Sequence, residues 1–125
     1  METAIGTETD RALKAAGLSL IISNIALQFL DWITSFEGYY RGVNEVNLLM
    51  LGTIRLFGNE YIGLSIIKVS YIGMLVSIYF FLGALSITGG RTVRQGGLIL
   101  LNFSLLFLVF VYASAVSNNL GVLGF

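Results

Sequence analysis

Residues 15–36 read AAGLSLIISNIALQFLDWITSF, an apolar stretch in which Asp31 is the one charged side chain. As an α-helix this stretch would be about 33 Å long, and the hydrocarbon core of a bilayer is about 30 Å thick. Two further stretches, residues 61–87 and 97–117, are equally apolar and contain a single charge, Lys68. The sequence therefore predicts an all-α integral membrane protein with three transmembrane helices.

The segments between these stretches are too short or too polar to cross a bilayer. Residues 46–57 are mostly apolar, but a helix of that length is only about 18 Å long, so we expect a short interfacial or re-entrant helix. Residues 37–45 and the segment around Gly89 have the polar and glycine-rich composition typical of loops. We expect residues 1–14 to form a soluble tail, and residues 1–125 to form one transmembrane helical domain.

The composition narrows the possible functions. Hydrophobic residues make up 56% of the chain and charged residues 11%, and seven basic residues balance seven acidic ones, so no charged surface is expected to attract nucleic acid. The chain contains no Cys and no His, which removes thiolate nucleophiles, imidazole bases and the usual ligands of zinc, copper and haem. We therefore expect no catalytic residue, no metal site and no cofactor, and a lipid bilayer as the surroundings.

The distribution of basic residues predicts the orientation. Basic residues in short loops tend to remain on the cytoplasmic side of a membrane. Four basic residues flank the spans on one side and two on the other: Arg11, Lys14, Arg91 and Arg94 against Arg41 and Arg55. This bias predicts a multi-pass protein of the cytoplasmic membrane with a cytoplasmic amino terminus and an external carboxyl terminus.

Polar side chains follow one face of the first span. Asn24, Gln28 and Asp31 are four and three residues apart, the spacing of one helix face. Lys68 is the only basic residue within a span, and both Asp31 and Lys68 should lie roughly 8 to 10 Å below the outer membrane surface. We therefore predict that they pair. The pair has two interpretations at this point, an ion or proton relay or polar ligand site, and a buried ion pair that fixes helix register.

Small residues recur at helical spacing in the other two spans. Such residues allow helices to approach closely within a membrane. The candidate helix-packing residues are Ser70, Gly73 and Ser77 in the second span, and Ala113 and Ser117 in the third.

The pattern of polar residues resembles a family of small prokaryotic multi-span membrane proteins of unknown function. That family combines an aspartate followed by threonine, a Gly-x-x-Glu-x-Asn-Pro segment, a lysine in the next helix and an asparagine late in the last. The matching residues here are Asp31, Thr34, Gly42, Glu45, Asn47, Lys68, and Asn118 or Asn119. The match extends over about residues 28–119, with Leu48 in place of the proline and Ser35 in place of a common second threonine.

The resemblance implies no activity, but it does imply one polar cluster on the outer side of the membrane. Its members would be Asp31, Glu45, Asn47 and Lys68. Asn24 and Gln28, from the same helix face as Asp31, extend this cluster toward the membrane centre.

Two functions fit these expectations. The first is a non-catalytic accessory subunit that stabilises a larger membrane complex, such as a respiratory complex or a membrane-bound monooxygenase, because a three-helix unit buries only some of its faces internally. The second is a small oligomeric ion or solute transporter with a polar path around Asp31 and Lys68. An enzymatic role for Asp31 or Glu45 lacks a nucleophile, phosphate loop or metal motif.

Overall fold

The computed structural model describes residues 4–43, 48–88 and 90–125, and their side chains in residues 8–43, 51–81 and 90–125. These residues form four α-helices and no strand. The helices are α1 (Ala4–Tyr40), α2 (Leu48–Phe57), α3 (Glu60–Thr88) and α4 (Arg91–Leu123).

Three of the helices are long and apolar enough to cross a membrane. The qualifying segments are Glu8–Tyr40, Glu60–Phe81 and Arg91–Leu123, with mean hydropathies of 1.5, 1.8 and 2.3. The short helix α2 has 10 residues and is about 15 Å long, half of what a crossing requires. The prediction of three spans plus one short helix is confirmed, and the chain is a multi-pass membrane protein.

The long helices extend further than the sequence predicted. Residues 4–14, expected to be a soluble tail, are helical and continue into α1 without a break. The basic segment expected as a loop between the second and third spans is instead the first turn of α4, which begins at Arg91. The two extensions contact each other, because Asp10 forms an ion pair with Arg94. The local composition of these two segments predicted a tail and a loop. The ion pair between them favours the helical conformation in both.

The middle position among the long helices belongs to α1. It packs most extensively along α4 and also contacts α3, whereas α3 and α4 touch each other little. Asp10, early in α1, contacts Arg94, early in α4, and Asp31, later in α1, contacts Asn119, late in α4. These two helices are therefore parallel. The helix α3 is antiparallel to both. The bundle thus has an Asp10 end and a Tyr40 end.

The apolar core is small and lies where the three long helices meet. Ile21, Leu75 and Leu105, one from each helix, form its buried centre. Leu20, Ile25, Tyr71 and Leu101 pack around them. Most other large apolar side chains are exposed on the outside of the bundle, as expected for a protein whose solvent is lipid.

The short helix α2 folds back onto the start of α3. Gly58, between them, has φ +64°, a left-handed conformation that glycine adopts without strain. Gly63 then allows the two backbones to approach, since a Cβ at this position would lie 3.0 Å from the Cα of Ile54. These two glycines hold α2 against α3 at the Tyr40 end.

Candidate functional site

A buried ion pair joins α1 to α3. The Lys68 ammonium pairs with the Oδ2 of Asp31 and donates a second hydrogen bond, of 3.2 Å, to the Oε1 of Gln28. Lys68 is 3% exposed and Gln28 is 1% exposed. The contact predicted from the depth of the two charges is therefore present. Each charge has its partner within the protein, as a buried charge requires.

The other oxygen of Asp31 joins α1 to α4. The Nδ2 of Asn119 donates to the Oδ1 of Asp31 over 2.9 Å and lies 3.1 Å from the Oγ1 of Thr34. Sequence reasoning left the choice between Asn118 and Asn119 open, and the structure places Asn119 in this contact. One carboxylate thus receives a donor from each neighbouring helix. Asp31 links all three long helices at one point.

Aromatic rings close the ion pair on its α4 side. The Lys68 ammonium lies 5.6 Å from the ring centre of Tyr112, within range of a cation–π contact. Tyr112 in turn packs against Tyr71 with ring centres 5.1 Å apart. This pair of rings bridges α3 and α4, which touch little elsewhere.

Nearer the middle of the bundle, Asn24 binds α4 through its amide group. Its Nδ2 donates to the carbonyl oxygen of Leu105 over 3.0 Å and to that of Leu20, on its own helix, over 2.9 Å. Asn24 is fully buried. Asn24, Gln28 and Asp31 therefore all use hydrogen bonds to other helices, and the polar face of α1 points into the protein rather than toward lipid.

A second polar cluster lies at the Asp10 end, and sequence reasoning missed it. Asp10 pairs with Arg94 and accepts a 2.9 Å hydrogen bond from the Nε2 of Gln95. Below the core, Asn102 donates over 3.0 Å to the carbonyl of Leu13 on α1. The opposite charges of Asp10 and Arg94 are visible in the sequence, but only the parallel packing of α1 and α4 reveals their proximity.

The structure describes a cavity of about 290 Å³ at the Tyr40 end, directly above the Asp31–Asn119 contact. Thr34, Ser35, Asn118 and Asn119 supply its polar lining. Its apolar walls come from all four helices and the segment after α1, and they include Tyr39, Val43, Ile54, Leu64 and Val122.

The remaining predicted residues have mixed outcomes. Glu45 and Asn47, predicted for the polar cluster, lie outside the described residues. The candidate helix-packing residues face the exterior of the bundle, and none is buried against another helix of this chain: Ser70, Gly73, Ser77, Ala113 and Ser117. A Cβ at Gly73 would meet nothing within 4 Å. The close glycine contact of α3 is instead at Gly63, which the small-residue pattern did not single out.

The arrangement joins the three long helices through one ion pair and several hydrogen bonds. Both oxygens of Asp31 accept hydrogen bonds, one from the Lys68 ammonium and one from the Asn119 amide. Among the described residues, no three Asp or Glu side chains come together as metal ligands.

Comparison with known proteins adds no relative. No family model matches this chain. No curated protein and no solved structure matches it either. Asp31, Thr34, Lys68 and Asn119 lie together in one cluster, in which Asp31 and Lys68 are buried and Thr34 and Asn119 are partly buried.

Proposed function

We propose that this chain is a non-catalytic accessory subunit that stabilises a larger membrane protein complex by helix packing. The observation that carries the proposal is a contrast between polar and apolar groups. The buried polar residues Asn24, Gln28, Asp31 and Lys68 all form hydrogen bonds within the chain, whereas the apolar and small-residue faces of α3 and α4 are exposed in the described part of it. A unit built this way is stable internally and offers its outer faces to other helices.

The face of α4 away from α1 illustrates the contrast. Phe103, Phe107 and Phe110 follow one another at helical spacing and are 66–69% exposed. Ser114 continues this face, and its hydroxyl is bound to the carbonyl of Phe110 on the same helix. Large aromatic side chains next to small residues provide the complementary shape that packed membrane helices use.

The orientation belongs to the same proposal. Since α1 and α4 are parallel, the basic residues near Asp10 and those at the start of α4 lie at one end of the bundle. The bias in basic residues supports a cytoplasmic location for this end and an external location for the Tyr40 end, in the cytoplasmic membrane.

A second candidate function is an oligomeric transporter of an ion or small solute. The observation that favours it is the position of the cavity at the Tyr40 end, directly above a buried carboxylate. Polar groups continue from there toward the bundle centre through Lys68, Gln28 and Asn24. A path for a solute would require several copies, because three helices with α1 in the middle do not surround one.

Purification from its native membrane in a mild detergent tests both candidates. The accessory subunit should co-purify at fixed stoichiometry with larger membrane proteins. Single cysteines placed at Phe103 and Phe107 of the cysteine-free chain should then crosslink to them. A homo-oligomer that dissipates an ion gradient in liposomes, and stops doing so after Asp31→Asn, would instead support the transporter. A monomer whose α4 cysteines crosslink to no protein would contradict the accessory role.

A further inference from the structure

We propose that the cavity at the Tyr40 end binds a small neutral amphiphile whose polar end carries a hydrogen-bond donor, such as a hydroxyl group. The site lies among α1, α2, α3 and α4, above the contact between Asp31 and Asn119. The proposed site does not depend on the accessory role, because all of its lining residues belong to this chain.

The polar floor of the cavity calls for a donor on the ligand. Asn119 directs its Nδ2 to Asp31 and Thr34, so its Oδ1 remains as an acceptor. The described part of the chain provides no hydrogen-bond partner for this oxygen or for the hydroxyl of Ser35, which also lines the cavity. A ligand hydroxyl could donate to the Oδ1 of Asn119 and accept from the hydroxyl of Ser35. A ligand that donates to this oxygen would add a hydrogen bond to its contacts with the apolar walls.

The charges around the cavity favour a neutral ligand. None of its described lining residues is charged. The nearest buried carboxylate, Asp31, is matched by Lys68, and Glu37 on the same helix is paired with Arg41 over 2.6 Å. A charged ligand would therefore lose its hydration without gaining an unpaired counter-charge.

The size and walls of the cavity define the rest of the ligand. An engineered cavity of about 150 Å³ in another protein holds benzene, so about 290 Å³ accommodates roughly a dozen non-hydrogen atoms. Ile54, Leu64 and Val122 make the walls apolar. A ligand with a short hydrocarbon body and one hydroxyl satisfies both the walls and the floor, whereas a complete diacyl lipid is too large.

A matched pair of fluorinated probes tests this site by fluorine NMR on the purified chain in detergent micelles. The first probe is 4-(trifluoromethyl)benzyl alcohol. The second is 4-(trifluoromethyl)toluene, which has nearly the same shape and lacks the hydroxyl group. We expect saturable binding of the alcohol and about fivefold weaker binding of the toluene, the effect of about one hydrogen bond. Equal affinities on the wild-type chain would overturn the proposal.

Two substitutions at one position then locate the binding. Ser35→Leu should fill the cavity and weaken binding of the alcohol at least tenfold, whereas Ser35→Ala should leave the space open and change the affinity no more than about fivefold. Unchanged binding in a folded Ser35→Leu chain would place the probe elsewhere and contradict the site. If this variant does not fold, the comparison of the two probes on the wild-type chain still tests the proposal.

Discussion

The stability losses from removing Asp31 alone and from removing Lys68 alone should sum to more than the loss from removing both. In Asp31→Asn, the buried Lys68 ammonium loses its counter-charge and keeps only neutral partners, which are the substituted amide, Gln28 and the face of Tyr112. In Lys68→Met, the carboxylate keeps only the Asn119 amide. An uncompensated buried charge costs about 3–5 kcal/mol, so each single variant should lose about that much.

The double variant Asp31→Asn/Lys68→Met contains neither charge. We expect it to be no less stable than the worse single variant, which corresponds to a coupling energy of about 3 kcal/mol or more between the two positions. The free energy of unfolding can be measured by titration with a denaturing detergent, followed by the emission of Trp32, the only tryptophan in the chain.

The exposed pair Glu37–Arg41 provides a matched control. Its side chains are 44% and 46% exposed, and the residues are four apart on α1. An exposed pair of this kind has a coupling energy of about 0.2–1 kcal/mol. Additive losses of stability at Asp31 and Lys68, or a coupling energy no larger than that of the control pair, would refute the conclusion that the buried pair holds α1 and α3 together.

Two further predictions concern helix packing. Gly63→Ala should cost about 1–3 kcal/mol in the free energy of unfolding, because the added methyl group meets the backbone of Ile54, whereas Gly73→Ala should be neutral or slightly stabilising. Equal effects of the two substitutions would show that α2 does not pack as described. Asn24→Leu should cost about 0.6–2 kcal/mol through loss of its bond to α4, and Ser23→Ala, which affects only a bond within α1, should cost less. A larger loss in the Ser23 variant would contradict the buried role of Asn24.

Parts of this structure follow directly from the sequence. The number of spans follows from the length of the apolar stretches, and the equal depth of Asp31 and Lys68 follows from the constant rise of a helix. Both are properties of single helices in a bilayer, so both could be predicted. The choice of Asn119 over Asn118 depends on the rotation of α4 about its axis, which is set by packing.

The helical conformation of the segments at the Asp10 end could not be predicted for a similar reason. Residues 4–14 are polar enough to suggest a soluble tail, and Gly89 and Gly90 suggest a loop that continues into the basic segment. The contact between Asp10 and Arg94 links residues far apart in the sequence, and no local pattern reports it. Likewise, Gly63 and Gly73 have similar apolar surroundings in the sequence, and only the position of α2 distinguishes them.

The order in which the partners of Asp31 are synthesised has a consequence for membrane insertion. Lys68 follows Asp31 by 37 residues and Asn119 follows it by 88. At roughly 5–20 residues per second, translation delivers Lys68 about 2–7 s later and Asn119 about 4–18 s later. During this interval α1 has an unmatched carboxylate, so we expect its insertion to require a sheltered place beside the insertion machinery. A chain truncated after Asn59 should therefore insert α1 less efficiently than the full chain. Asp31→Asn should remove that difference, and an equal efficiency of both unsubstituted chains would show that the delay carries no cost.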